Sequence, residues 1–162
     1  MAEVVVPLTV RDLTREDLAS CAWSGSASHL ASVAEALKRA ERGGAEYLAV
    51  CPPSDLPVAI GGVDYAAHPG AGILWQLAVY PALQSCGIGT ILVRAAEQRI
   101  RATGRRRAEL SVEECNPRAR ALYERLGYVG YGRKPESWNE NAPDGSVKRY
   151  ETVCTLMRKE LS

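Results

Sequence analysis

Residues 73–90 read Ile73-Leu74-Trp75-Gln76-Leu77-Ala78-Val79-Tyr80-Pro81-Ala82-Leu83-Gln84-Ser85-Cys86-Gly87-Ile88-Gly89-Thr90, and this stretch decides the fold. Its first part, through Tyr80, is apolar enough to be a buried strand, and Gln84 to Thr90 is a turn that opens a helix running on to Thr103, with Gly104 as its stop. A helix start presents free backbone N–H groups and a partial positive charge. Glycine lets such a backbone approach an anion with no Cβ in the way. Gln84, Ser85, Cys86, Gly87, Ile88, Gly89 and Thr90 are therefore a candidate seat for a pyrophosphate. Spacing alone equally admits a strand–turn–helix joint in which glycine only serves geometry. A P-loop needs Gly-Lys-Ser/Thr, and here Thr90 follows Gly89 directly. The dinucleotide fingerprint needs a third glycine where Leu92 stands. Glu109, about 20 residues on, keeps that reading open but weakened, and the strands ahead of the turn argue against it.

Outward from this stretch, Val4 to Val10 reads as a first strand. Thr14-x-x-Asp17 resembles a capping box opening a short helix. Leu30, Val33, Ala34 and Leu37 follow a helical stripe over 29–42, ended by Gly43-Gly44. Tyr47 to Cys51, stopped by Pro52-Pro53, and Val58 to Tyr65 read as strands. His68 to Gly72 is the turn into the strand Ile73 to Tyr80. Beyond the turn-and-helix unit, Ala108 to Val112 is a strand. Asn116 caps a helix with Pro117 at its first position and Gly127 past its end. Tyr128 to Arg133 is a strand, Asn139, Asn141, Pro143, Asp144 and Gly145 lie in a polar loop, and Tyr150 to Met157 is a last strand. Three strands in series predict antiparallel hairpins, and the β-α-β stretch a parallel pair with a right-handed crossover. The expected fold is α/β (α+β): a mixed, mostly antiparallel sheet of about six to seven strands with helices on both faces. Residues 1–162 are expected to form one domain.

Composition narrows the function classes. Net charge is +1, so no global field recruits nucleic acid or a membrane surface. The five cysteines, at 21, 51, 86, 115 and 154, form no CxxC pair, so no zinc or other metal site and no disulfide framework is expected. Free thiols suit a reducing cytoplasm. The N-terminal residues lack the pattern of a signal peptide, and no apolar run approaches membrane-spanning length.

Two segments together resemble the GCN5-related N-acetyltransferase (GNAT) superfamily. Leu77-Ala78-Val79-Tyr80-Pro81 followed by Gln84-x-x-Gly87-x-Gly89 is similar to its acetyl-CoA motif. Asn116-Pro117-Arg118-Ala119-Arg120-Ala121-Leu122-Tyr123-Glu124-Arg125-Leu126-Gly127-Tyr128 resembles its N-x-x-A-x-x-L-Y-E-x-x-G-F/Y segment. The resemblance covers residues 73–128. It implies that the fourth and fifth strands splay, that pantetheine pairs with the backbone of Leu77, Ala78 and Val79, and that Gln84 to Thr90 hold the pyrophosphate of acetyl-CoA. Asn116 would contact the cofactor, and Tyr123 would stand by the sulfur as general acid. An amine acceptor is implied, read here as a primary amine of a small molecule, with a peptide or protein N-terminus or lysine as the alternative. A non-catalytic acyl-CoA-binding module is a further alternative. Dimers are common in the family, so a homodimer is within the expectation.

Each residue also has a plainer reading. Asn116 before Pro117 is an ordinary helix N-cap. Tyr123 lies on the stripe Ala119, Leu122, Tyr123, Leu126 and so reads also as a core aromatic. No general base is evident. Family members that acetylate protein N-termini carry a Glu five positions before the motif Asn, where this chain has Ser111. Glu113, Glu114, Asp64 and His68 are nearby carboxylates and imidazole to consider. Cys86 in the turn is a conceivable but disfavoured acyl carrier. Arg105-Arg106-Arg107 is read as a solvated cluster with the 3′-phosphate as its other use. Trp23, His29, Trp138 and Tyr131 are candidates to line an amine pocket.

Overall fold

The computed structural model describes residues 1–162. Seven strands make one sheet: β1 (Thr9–Asp12), β2 (Ala45–Cys51), β3 (Ala59–Asp64), β4 (Ala71–Val79), β5 (Arg107–Glu113), β6 (Val129–Asn141) and β7 (Val147–Glu160). Their order is β1-β2-β3-β4-β5-β7-β6. Only β4 and β5 run parallel, because α2 (Ile88–Ala102) carries the chain across between them. α1 (Ala27–Glu41) and α3 (Pro117–Arg125) complete the helices. The mixed sheet and its splayed fourth and fifth strands are as the sequence led us to expect.

β2 shows why helices cover both faces. Successive side chains of a strand point to opposite sides. Leu48 and Val50 pack into a core with Leu92, Val93, Ala96 and Ile100 of α2. Tyr47, Ala49 and Cys51 pack into a second core with Val33, Ala36 and Leu37 of α1. A strand buried on both faces reads as a continuous apolar run.

Several boundaries differ from expectation. Val4, Val5 and Val6 are exposed, and the first strand begins only at Thr9. Their β-branched run signals strand propensity, but β2 offers pairing partners only to Thr9–Asp12. The short element at Arg15–Ser20 is a 3-10 helix, with the Asp17 carboxylate accepting from the Thr14 N–H at 2.8 Å. α2 starts at Ile88 rather than Thr90. β6 and β7 are far longer than expected, and Asn139 and Asn141 belong to β6 instead of a loop. The intervening turn is held by Ala142 N–H to Ser146 O at 2.7 Å and by Gly145 at φ 84°.

β4 and β5 are paired only through Ala71–Arg107, Gly72–Ala108 and Ile73–Glu109. Past that point they fork. Gln76 sits in the left-handed region at φ 58°, and the β3–β4 register shifts beside it, between Ile60 and Gly62. Such a bulge bends a strand and re-aims its side chains. A non-glycine residue there costs about 1–2 kcal/mol, offset in part by the Tyr47 hydroxyl, which donates to Gln76 Oε1 at 3.1 Å. Gly61 and Gly62 make the bulge fit. A Cβ on Gly61 would come within 2.4 Å of Leu77 Cδ2, and one on Gly62 within 2.5 Å of the Trp75 ring.

Candidate active site

The fork opens into a cleft of about 1290 Å³. β4 contributes Leu74 to Ala78, β5 Leu110 to Glu113, and α3 Ala119 and Tyr123 together with Asn116 just ahead of it. The N-terminus of α1 supplies Ser26, Ser28, His29 and Ser32, and β6 supplies Lys134 to Asn141. α1 and β6 meet where the Ser28 N–H donates to Asn141 Oδ1 at 2.9 Å. That bond joins residues 113 positions apart and closes one side of the cleft.

On the α2 side of the fork stands the glycine turn. Gln84 to Gly87 are exposed. Ser85 at φ 62° and Gly87 at φ 86° are both left-handed, a backbone alternation that points successive N–H groups into one concavity. The amides of Ser85, Cys86, Gly87, Ile88, Gly89 and Thr90 make no hydrogen bond to any protein group. Space beyond Gly87 is open, with no atom within 4 Å of a would-be Cβ. Gly89 keeps the turn close to the fork: a Cβ there would lie 3.3 Å from Leu122 Cδ2 and 3.9 Å from Val79 Cγ2. The Gln84 side chain donates to Val79 O at 3.3 Å. Tyr80 N–H donates to Val58 O at 2.8 Å, so ladder alternation leaves the Val79 N–H on the open edge of β4. Unpaired amides at a helix N-terminus suit a diphosphate, and an open strand edge suits an amide-bearing chain.

Asn116 is the N-cap of α3, its Oδ1 accepting from Ala119 N–H at 3.1 Å, and Pro117 is the first helical residue. Tyr123 satisfies both readings of it. Its ring packs edge-on to Tyr128 at 6.1 Å and against the larger core. Its hydroxyl bonds to no protein group, and burial raises the phenol above its usual range.

The other candidates separate cleanly. Glu113 lines the cleft and accepts from the Tyr150 hydroxyl at 2.7 Å. Glu114 is outside it, paired with Arg133 at 3.1 Å. Asp64 binds Arg39 at 2.7 Å. His68 lies 3.2 Å from Glu109, which also takes the Tyr131 hydroxyl at 2.6 Å. His29 and Trp138 line the cleft, and Trp23 and Tyr131 do not. Burial lowers the His29 pKa, and its Nε2 is 3.2 Å from Ser24 Oγ. Cys86 is exposed, its thiol 3.6 Å from Gln84 O. The arginine cluster lies at the far end of α2, about 22 Å from the glycine turn. There Arg105 stacks on Tyr65 at 4.6 Å and Arg107 donates to Glu160 at 3.2 Å. No three His, Cys, Asp or Glu side chains are grouped to hold a metal ion. No helix is long and apolar enough to cross a membrane. Sequence reasoning missed Gln76, Glu136 and Asn141. The Gly61-Gly62 pair within a strand was the available signal for the bulge.

The sequence model of the acetyltransferase (GNAT) family matches residues 16–128. The chain belongs to that family. It is an acetyl-CoA-dependent N-acetyltransferase. Similar solved structures share the fold. The ribosomal-protein-S18-alanine N-acetyltransferase of Escherichia coli superposes with TM-score 0.73 at 18% identity, over 96% of this chain and 95% of that one. The spermidine N-acetyltransferase of Vibrio cholerae, solved with CoA and spermine, gives 0.71 at 19%, over 94% and 95%. The IAA acetyltransferase of Bacillus cereus gives 0.72 at 17%, over 96% and 100%. Among curated proteins none matches the sequence significantly.

Proposed function

We propose that residues 1–162 form one N-acetyltransferase domain that moves acetyl from acetyl-CoA directly to a primary amine of a small molecule in the cytoplasm. The observation that carries this is the fork itself: β4 and β5 part after Ile73 and Glu109, with unpaired amides from Ser85 to Thr90 on one side. In this reading the amides of Ser85 to Thr90, with Gln84, bind the diphosphate of acetyl-CoA. The backbone of Leu77, Ala78 and Val79 pairs with the pantetheine arm. The Val79 N–H supports the charge that develops on the thioester oxygen. Asn116, its Oδ1 committed to the helix cap, meets the cofactor through its amide nitrogen. Tyr123 protonates the departing sulfur, whose thiol has a reference pKa near 8.5.

The amine enters from the α1 and β6 side. Glu113, Glu136 and Glu140 line that end against a single lysine, Lys134, which favours an acceptor that arrives as an ammonium ion. Freeing a lysine-like amine at pH 7 costs about 4–5 kcal/mol. The α1–β6 wall favours a compact amine over a polypeptide. Solved relatives act on spermidine and on a ribosomal-protein alanine, so both kinds belong in the test. All five cysteines are free, which suits a reducing compartment.

The test is release of CoA thiol with acetyl-CoA and, in turn, n-butylamine, spermidine and an alanine-terminated peptide. Turnover on the small amines supports the reading. Turnover on the peptide alone moves the acceptor to polypeptide, and CoA binding with no turnover on any amine makes the chain a binding module.

A further inference from the structure

We propose that Glu136 is the general base that takes the proton from the acceptor ammonium, and that Ser111 is the residue that positions its carboxylate; this rests on the acetyl-transfer reading above.

Glu136 stands apart from its neighbours on β6. Between Arg133 and Glu140 every residue of the strand is exposed except Glu136, which is half-buried. Pairing fixes where it points. Glu136 opposes Thr152, and Lys134 opposes Cys154, which in turn opposes Glu113 of β5. Paired residues share a face, so Glu136 lies on the same side of the sheet as Ser111, Glu113 and Cys154, and all four line the cleft. Its Oε2 accepts from the Ser111 hydroxyl at 3.1 Å, across the width of β7. Ser111 is two residues past Glu109, the last residue of β5 paired with β4. The carboxylate is therefore held where the two strands begin to part.

The other carboxylates at this end have partners of their own. Glu113 takes the Tyr150 hydroxyl at 2.7 Å, and Glu140 takes the Trp138 indole N–H at 3.0 Å. The Ser111 hydroxyl donates to Glu136, and no lysine or arginine pairs with its carboxylate. The Cys154 thiol alongside is pushed up to about 12 by burial, with the Glu136 and Glu113 carboxylates adding to it. It stays neutral and does not pair the charge. The titratable groups that line the cleft with Glu136 are Glu113 of β5, Cys154 of β7, Lys134 and Glu140 of β6, His29 of α1 and Tyr123 of α3, with Tyr150 of β7 behind them on Glu113.

An N–H bond of the ammonium breaks and Glu136 gains an O–H bond. The freed nitrogen lone pair forms the C–N bond to the acetyl carbonyl carbon as the C–S bond breaks. The sulfur takes the phenol proton of Tyr123. The nitrogen gives up its second surplus proton, which restores the phenol through solvent. Glu136 then releases its own proton, so each turnover yields amide, CoA thiol and one proton.

The experiment measures kcat against pH for wild type, E136Q, S111A and the double variant E136Q/S111E. The acceptor is whichever of n-butylamine, spermidine or the alanine peptide wild type turns over fastest. Acetyl-CoA binding by calorimetry and the melting temperature are recorded alongside. We expect E136Q to lower kcat at neutral pH by on the order of 100-fold and to erase the acidic limb of the profile, with acetyl-CoA affinity and melting temperature unchanged. S111A should lower kcat less than E136Q does. E136Q/S111E should recover activity, since position 111 is within hydrogen-bond reach of the lost carboxylate. An E136Q enzyme with wild-type kcat, or one slowed with its acidic limb intact, overturns the proposal and leaves acetyl transfer standing. Wild type inactive on all three acceptors overturns the acetyl-transfer reading and this proposal with it.

Discussion

Replacing Tyr123 by Phe removes a single oxygen from the cleft. The ring would keep its edge-on contact with Tyr128 at 6.1 Å and its place against the core. The hydroxyl makes no hydrogen bond to protein, so the fold loses no partner. The expected stability change is within about 0.5 kcal/mol, or about 1–2 °C in melting temperature for a chain of this size. Catalysis should change far more. A positioned proton donor contributes about 10²–10⁴-fold, which is roughly 2.7–5.5 kcal/mol of barrier. The pH dependence has a definite sign. A donor works while protonated, and burial raises this phenol above its ordinary value near 10. Wild-type kcat should therefore show no alkaline decline from Tyr123 below about pH 10. The assay is thiol release at saturating acetyl-CoA and amine, with melting temperature and calorimetric CoA binding on the same preparations. Unchanged kcat in Tyr123→Phe refutes the role as acid. Loss of CoA binding together with kcat refutes it too, by making the hydroxyl a binding contact.

Asn116→Ala removes the α3 cap and should lower stability by about 1 kcal/mol, read by urea unfolding. Gly62→Val puts a side chain where even a Cβ would be 2.5 Å from the Trp75 ring; overpacking of about 1–3 kcal/mol should appear as a lower melting temperature. Gly87→Ala meets no atom but must hold φ 86°. It should weaken CoA binding by calorimetry by about tenfold, from a backbone strain of about 1–2 kcal/mol. Arg11 donates to both Asp17 oxygens, at 2.7 and 2.9 Å, and holds that carboxyl at about 2 against 3.8. The folded value lies below the unfolded one, so the pair stabilises the fold above about pH 4 and this is lost as pH falls toward about 2. Wild type should lose roughly 1–2 kcal/mol more than Asp17→Asn between pH 6 and 2.5 in urea unfolding.

The turn at Gln84–Thr90 and the cap at Asn116 were readable because their chemistry is local. A glycine at positive φ, a proline at the first helical position and an asparagine accepting from the residue three ahead are all set within a few residues. The stripe of α1 and the apolar run of β2 were readable because each is buried along a regular period. The β6–β7 arm was not. Residues 137–141, Ser-Trp-Asn-Glu-Asn, are polar but for Trp138, and successive residues, not alternate ones, line the cleft, so no apolar–polar alternation appears. The bulge at Gln76 depends on Tyr47, and the closing of the cleft on a bond between Ser28 and Asn141, both long-range. Val4 to Val6 show the converse error, local strand propensity without a partner strand to pair it. For Tyr123, core packing and the cleft proved compatible, since ring and hydroxyl serve different surroundings.

The most direct measurement is an amide NMR titration with coenzyme A. The account predicts that the N–H resonances of Ser85 to Thr90, together with that of Val79, shift in a saturable and concerted manner, while those of Arg105 to Arg107 at the other end of α2 stay in place. Saturable binding that leaves Ser85 to Thr90 unmoved would contradict it.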